Sequence, residues 1–189
     1  MVRHFDILAP IYDLLLGSPD TVQWRDRLRL PTSGSLLDCG GGTGRVSHRL
    51  RTLAGPVVIT DLSLPMLRGA KAKTGLWPVQ AHAEALPFPD ERFDRVLVVD
   101  ALHHFCDPPQ ALSELVRVLK HGGRIIIEEP DIQHPLVRVA ALLEKLALMR
   151  SRFFSPHEIR GMIEARGLPA RIEKMGHFAA WIIADKASS

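Results

Sequence analysis

Short apolar runs alternate with longer stretches of helical periodicity along most of the chain. LLDC (36–39), VVIT (57–60), VQAH (79–82), RVLVVD (95–100) and RIIIEE (124–129) are brief, mostly apolar and often β-branched. That is the pattern of strands buried on both faces. Between them, 43–54, 64–74 and 108–120 read as helices. Alternation of this kind implies βαβ units and a parallel sheet with helices on both sides. After Gly167, ARIEKMGHFAAWIIADK reads as two strands around Gly176, an antiparallel hairpin closing the sheet's edge. The expected fold class is α/β: a doubly wound, mostly parallel seven-stranded sheet with a C-terminal hairpin, in one domain spanning 1–189.

Capping signals sharpen two helix starts. Asp107-Pro108-Pro109-Gln110 sets an acid before Pro at the first helical position, and Ser155-Pro156-His157-Glu158 has the spacing of a capping box. Gly122 and Gly167 read as helix stops.

Composition narrows the class without naming a function. Hydrophobic residues are 46% and charged residues 24%, and the net charge is +3, as in ordinary globular proteins. The basic residues are scattered rather than striped, so no nucleic-acid partner is expected. Two cysteines, Cys39 and Cys106, are too few for a disulfide framework, and a reduced cytoplasmic setting is expected. The N-terminus lacks the apolar core and cleavage site of a signal peptide. The most apolar helical stretch, 136–149, is interrupted by Arg138, Glu144 and Lys145, well short of the roughly 20 apolar residues of a membrane span.

The chemistry centres on LLDCGGGTG. A phosphate-binding loop would need Gly-Lys, and no such pair occurs in the chain. A dinucleotide fingerprint starting at Gly40 and Gly42 would need a third glycine at 45, where arginine stands. What remains is G-x-G-x-G at Gly40, Gly42 and Gly44, directly after a strand-end acid, Asp38. Glycines let a backbone approach a bulky ligand, and backbone N–H groups opening a helix favour a carboxylate. Asp38 suits the ammonium of an amino-acid tail. Asp61, 23 residues further on at the end of the second strand, suits a ribose diol.

With these residues in place, the sequence resembles the class I S-adenosylmethionine-dependent methyltransferases. LLDCGGGTG resembles their first motif, VITDLSLPML the second, AHAEALPFPDERFDRVLVVDALHHF the segment into the fourth strand, and ALSELVRVLKHGGRIIIEEP the next helix and strand. The resemblance implies S-adenosylmethionine as donor, held by Asp38, Gly40, Gly41, Gly42, Thr43, Asp61, Leu62, Met66, His82, Ala83, Glu84 and Val99. Within the family it is nearest to the ubiquinone/menaquinone C-methyltransferase group, whose opening segment FDILAPIYDLLLG also resembles. One departure stands out: Asp100-Ala101-Leu102-His103-His104 replaces a Phe-Gly-Leu-Arg-Asn-like stretch of that group.

On the acceptor side, His103 and His104 follow the fourth strand, and their ordinary pKa near 6.5 suits proton transfer at neutral pH. Their spacing with Cys106 is too tight for a zinc site, so no metal is expected. Tyr12 lies in an N-terminal helical stripe, within a 1–30 segment expected to close over the donor. Residues 131–155 are expected to cover the acceptor, and an apolar cover would suit peripheral membrane contact. Asp107-Pro108-Pro109-Gln110 superficially matches the Asp-Pro-Pro-aromatic motif of base methyltransferases, but it lies beyond the strand end and lacks the aromatic. The expected partner is a small, apolar or aromatic acceptor such as a quinone precursor. Lipid or other small-molecule O- or N-methyl transfer, or an inactive S-adenosylmethionine-binding regulator, are the alternatives. A nicotinamide dehydrogenase is disfavoured by the missing glycine.

Overall fold

The computed structural model describes residues 6, 9, 13–14, 21–135, 137–138, 152–175 and 179–188. Tyr12, most of the proposed N-terminal lid and residues 139–151 of the acceptor cover lie outside them. The elements are α1 (Val22–Arg27), β1 (Leu36–Cys39), α2 (Ser47–Leu50), β2 (Val57–Asp61), α3 (Leu64–Lys71), β3 (Leu76–Gln80), β4 (Phe93–Val99), a 3-10 turn (Leu102–His104), α4 (Pro108–Val118), β5 (Leu119–Pro130), α5 (Pro156–Glu164), β6 (Ala170–Met175) and β7 (Ala179–Asp185).

The strands form one seven-stranded sheet in the order β3-β2-β1-β4-β5-β7-β6. β1 pairs parallel with β2 and β4, β2 with β3, and β4 with β5, while β7 runs antiparallel to both β5 and β6. The hairpin expected from the sequence is therefore present, with β7 inserted beside β5 and β6 at the edge.

Alternation along each strand sends side chains to two cores. Leu37, Val96, Val98, Ile125 and Ile127 pack with Leu112 and Leu115 of α4 and Ile159 and Ile163 of α5. Leu36, Ile59, Leu97, Ile126 and Trp181 pack with Trp24 of α1, Leu50 of α2 and Leu67 of α3. Strands buried on both faces explain the near-continuous apolar runs.

Both helix caps form as the sequence indicates. The Asp107 carboxylate accepts from Gln110 N–H at 3.1 Å, and Ser155 with Glu158 makes a reciprocal capping box. Three boundaries differ from expectation. The helix expected over 43–54 is confined to Ser47–Leu50, because Gly42 and Gly44 adopt positive φ and keep 42–46 in turns. β3 begins at Leu76 rather than 79: Pro78 is tolerated because β3 is an edge strand. Gly122 does not stop a helix; α4 ends at Val118, Leu119 is already extended, and Gly122 lies within β5.

The chain order turns back between β1 and β4, the switch point of an open α/β sheet, where ligands bind beyond the strands' carboxyl ends. The loops after β1 and β4 flank that point, and they contain the glycines and the paired histidines.

Candidate active site

The first wall is the glycine loop. Gly40 and Gly41 N–H donate to Thr60 O at 2.8 and 3.1 Å, which fastens the end of β1 to β2. Gly42 N–H donates to Asp61 Oδ2 at 2.9 Å, and Ser63 N–H donates to Asp61 Oδ1 at 2.8 Å. Asp61 thus ties the two loops together. Burial pushes its carboxyl upward, with the Ser63, Gly42 and Leu62 amides opposing that shift. A carboxylate oxygen accepts more than one hydrogen bond, so Asp61 keeps acceptor capacity beyond these amides.

Asp38 sits beneath this loop at 2% exposure. It faces the α2 side of the sheet, where the Ser47 hydroxyl donates to Oδ2. Its Oδ1 is buried with no hydrogen-bond partner among the described residues. Burial pushes the Asp38 carboxyl up to about 7, with Ser47 pulling the other way and Asp61 adding to the rise. An orphaned buried carboxylate oxygen suits a cationic ligand group, because leaving it unmatched costs free energy.

The glycines differ in what surrounds them. A Cβ on Gly40 would meet the Ala101 Cβ at 2.7 Å, and one on Gly41 would meet Asp38 at 2.6 Å. At Gly42 the nearest atoms are Met66 Sδ at 3.8 Å and Asp61 Oδ2 at 3.9 Å. The cradle therefore opens at Gly42, between the Asp61 carboxylate and the Met66 thioether. Met66 is 2% exposed, whereas Leu62 is exposed on the loop that follows β2.

Other residues of the expected donor set are more dispersed. Ala83 is buried, while the His82 side chain is 58% exposed on the loop after β3. Val99 ends β4 half-buried. Glu84 has a structural task. Its carboxylate accepts Asp107 N–H at 3.0 Å and its carbonyl accepts from the Gln110 side chain, so it ties the β3–β4 connection to the start of α4.

The N-terminal segment reaches this wall at two described points. Asp13 accepts from the Thr43 hydroxyl and from Lys73 Nζ, and Lys73 also donates to Thr43 O at 2.6 Å. Asp6 accepts from the Ser63 hydroxyl at 2.5 Å. Burial opposes ionisation of Asp13, but the Lys73 and Thr43 hydrogen bonds prevail and hold its carboxyl below the ordinary range.

The second wall is the loop after β4. Asp100 adopts φ +52 and donates its N–H to Glu128 O at 2.9 Å. A non-glycine residue in that region stores strain, a feature that clusters at ligand sites. Ala101 and Phe105 then pack against Gly40, joining the two walls. His103 is 2% exposed, its Nδ1 lies 2.6 Å from Glu129 Oε2, and its ring stacks on Phe153 at 4.4 Å. The His104 ring lies 3.9 Å from that of His103. Burial, then the neighbouring His103, drives His104 down to about 3. Burial therefore disfavours the charged form of His104, and with it a role as proton acceptor at neutral pH.

Glu129, Ala101, Phe105 and Phe153 are not among the residues singled out from the sequence. Glu129 alone left a signal there, as one of two acids ending an apolar strand. Alternation turns Glu128 toward Trp24, whose indole N–H donates to it at 2.8 Å, and Glu129 toward His103.

A family model described as a methyltransferase domain matches residues 37–127. A ubiquinone/menaquinone biosynthesis C-methyltransferase of Hahella chejuensis is 37% identical over 146 residues, covering 68% of this chain and 59% of that protein. The chain spans about three fifths of the length of the curated relatives it matches. Among solved structures, a chain from the complex of the Haloferax volcanii Trm112 methyltransferase activator with a putative methyltransferase aligns with a TM-score of 0.79 at 18% identity, covering 99% of this chain and 100% of that one. Haemonchus contortus phosphoethanolamine N-methyltransferase 2, solved with S-adenosyl-L-methionine, aligns with a TM-score of 0.78 at 17% identity, covering 97% of this chain and 57% of that one.

Proposed function

The chain belongs to the class I S-adenosylmethionine-dependent methyltransferases, and we propose that it methylates a small hydroxylated aromatic acceptor, at a ring carbon of a quinol precursor. The observation that carries the reading is the Asp61 carboxylate bonded to Gly42 and Ser63 N–H beside the open face of Gly42. It leaves a carboxylate and a glycine backbone facing one cradle, which suits a ribose diol next to a bulky ligand. The choice of acceptor is supported by the function named for the Hahella chejuensis relative.

S-adenosylmethionine, when bound, supplies a methyl group already activated on a sulfonium, so alignment is the protein's main contribution. In this reading Asp61 takes the ribose hydroxyls and Asp38 faces the ammonium of the amino-acid tail. The Gly40–Thr43 backbone lies along that tail, and Leu62, Met66, His82 and Ala83 border the base. Val99 stands at the β4 end, between donor and acceptor. His103 receives a proton from the acceptor.

Replacing Asp61 with alanine is expected to weaken donor binding by about 1–3 kcal/mol, roughly 5- to 150-fold, because the diol loses its acceptor and Gly42 N–H loses its anchor. Calorimetric titration with S-adenosylhomocysteine reads this directly, and unchanged affinity would remove Asp61 from the site.

The acceptor is tested by incubating the protein and S-adenosylmethionine with a demethylated quinol kept reduced, beside phenol, amine and phospholipid competitors. The reading expects a C-methylated quinol by mass spectrometry. Tight donor binding with no product from any acceptor would favour a regulatory protein instead.

A further inference from the structure

Arg45 stands where a dinucleotide fingerprint would carry its third glycine. It follows Gly44 in the turns that lead into α2, and two residues later the Ser47 hydroxyl donates to Asp38. Its side chain is half-buried, yet it makes no hydrogen bond or ion pair among the described residues. A guanidinium carries five N–H donors and stays charged, so leaving a partly desolvated one unmatched is unfavourable.

Three acids locate that charge. Burial acts first on the carboxyls of Asp13, Asp38 and Glu128, and the Arg45 guanidinium opposes it at each. Asp38 is level with Leu97 in β4, and Leu97 with Ile126 in β5. Glu128 lies two residues beyond Ile126, on the same face of the sheet. The guanidinium therefore stands over the carboxyl ends of β1, β4 and β5, above the face where Asp38, at 2% exposure, leaves Oδ1 without a partner. Lys73, the cation that meets Thr43, is already bonded to Asp13 and to Thr43 O.

A buried carboxylate oxygen beside an uncommitted guanidinium matches a zwitterion. The amino-acid end of S-adenosylmethionine is one, with ammonium and carboxylate on a single carbon. Once the ammonium meets Asp38, the carboxylate lies close by and needs a cation of its own. We infer that Arg45 is a donor-selecting residue: its guanidinium pairs with the donor's carboxylate while Asp38 takes the ammonium, so the site reads both charges of the amino-acid end. This rests on the donor cradle proposed above. A planar guanidinium fork suits a carboxylate, which it can hold by two parallel hydrogen bonds. The residue that breaks the dinucleotide spacing then has a positive task in choosing the ligand.

The test is calorimetric titration of the full chain with S-adenosylhomocysteine and with its decarboxylated analogue, S-adenosyl-3-thiopropylamine. The analogue keeps the nucleoside, the sulfur and the ammonium, and lacks only the carboxylate. Wild-type affinity should be about 10- to 100-fold lower for the analogue, the range of a charge-assisted contact. Arg45→Gln should lower S-adenosylhomocysteine affinity by a similar factor and leave the analogue's affinity within about threefold. Arg45→Lys keeps the charge without the fork and should fall between the two. The unfolding temperature of ligand-free Arg45→Gln should not drop, because the substitution breaks no bond among the described residues. An effect of Arg45 that acts only through the charge state of Asp38 falls on both ligands alike, since both carry the ammonium. Equal losses for the two ligands in Arg45→Gln therefore overturn the inference, as does unchanged affinity for S-adenosylhomocysteine. Failure of the wild type to bind S-adenosylhomocysteine overturns the donor cradle itself, and the role of Arg45 with it.

Discussion

Replacing Gly44 with alanine is expected to destabilise the protein by about 2–5 kcal/mol, whereas Gly42→Ala costs only about 1–2 kcal/mol and instead weakens donor binding. The two glycines lie in one motif and both adopt positive φ, +71 at Gly44 and +55 at Gly42. Alanine therefore incurs a left-handed backbone penalty at each. The difference lies in what the new methyl group meets. At Gly44 it would meet Ile59 Cδ1 and Leu76 Cδ1, both at 2.6 Å. Ile59 is fully buried and Leu76 nearly so, so neither can move aside without disturbing β2 and β3. At Gly42 the nearest atoms are 3.8 and 3.9 Å away, and the methyl group enters the cradle beside Asp61. Thermal unfolding and calorimetric titration of both variants measure the two effects separately. Equal stability losses with equal affinities would mean that the loop has no ligand side and core side.

Asp38→Asn is expected to stabilise the ligand-free protein above neutral pH while weakening donor binding. Burial raises the folded-state pKa of Asp38 to about 7 from an ordinary 3.8. A raised carboxyl favours the folded state fully below pH 4, and that contribution is lost as pH rises through about 7. Above pH 7 the wild type therefore retains an ionised, partly unpaired carboxylate in its interior. Asparagine removes the charge but leaves its own N–H group short of a partner, so the net gain is roughly 1–3 kcal/mol at pH 8. As pH falls toward 4 the gain should pass through zero and become a loss of similar size, because the neutral wild-type carboxyl no longer carries the ionisation penalty while the unmatched amide N–H remains. If Asp38 faces the ammonium of the donor as proposed, wild-type affinity should fall by up to about tenfold per pH unit below 7, since binding must first release a proton. In Asp38→Asn affinity should be low and that component absent. Unfolding curves at pH 5 and pH 8, paired with titrations at the same values, check both signs. On that proposal stability is sacrificed for a binding charge, a common pattern at functional sites.

Much of this architecture is legible in the chain. Apolar runs at 36–39, 57–60, 95–100 and 124–129 mark four parallel strands because each is largely buried on both faces, so polar residues are confined to Asp38 and the ends of the runs. Asp61 and the glycines are legible because their chemistry is local in sequence: a strand end, an acid and a turn. β3 is less so, since an edge strand with Trp77 exposed and Pro78 inside it lacks the signature of a buried one. The extent of α2 was obscured because the same glycines that announce the site prevent a helix from starting at 43.

The acceptor side is where sequence reasoning runs short. His103 and His104 are adjacent and chemically identical, and only tertiary placement separates them. One meets Glu129 from 26 residues away, while burial drives the other down to about 3. The resemblance implies a donor contact for Glu84; its carboxylate also satisfies a backbone amide at the start of α4, a demand visible only once the helix is placed.

The central claim is that the cradle at Asp61 and Gly42 holds S-adenosylmethionine. Its most direct test is calorimetric titration of the wild-type protein with S-adenosylhomocysteine and, separately, with NADH. The account predicts saturable binding of S-adenosylhomocysteine that Asp61→Ala weakens, and no heat from NADH. Saturable NADH binding with none of S-adenosylhomocysteine would contradict it.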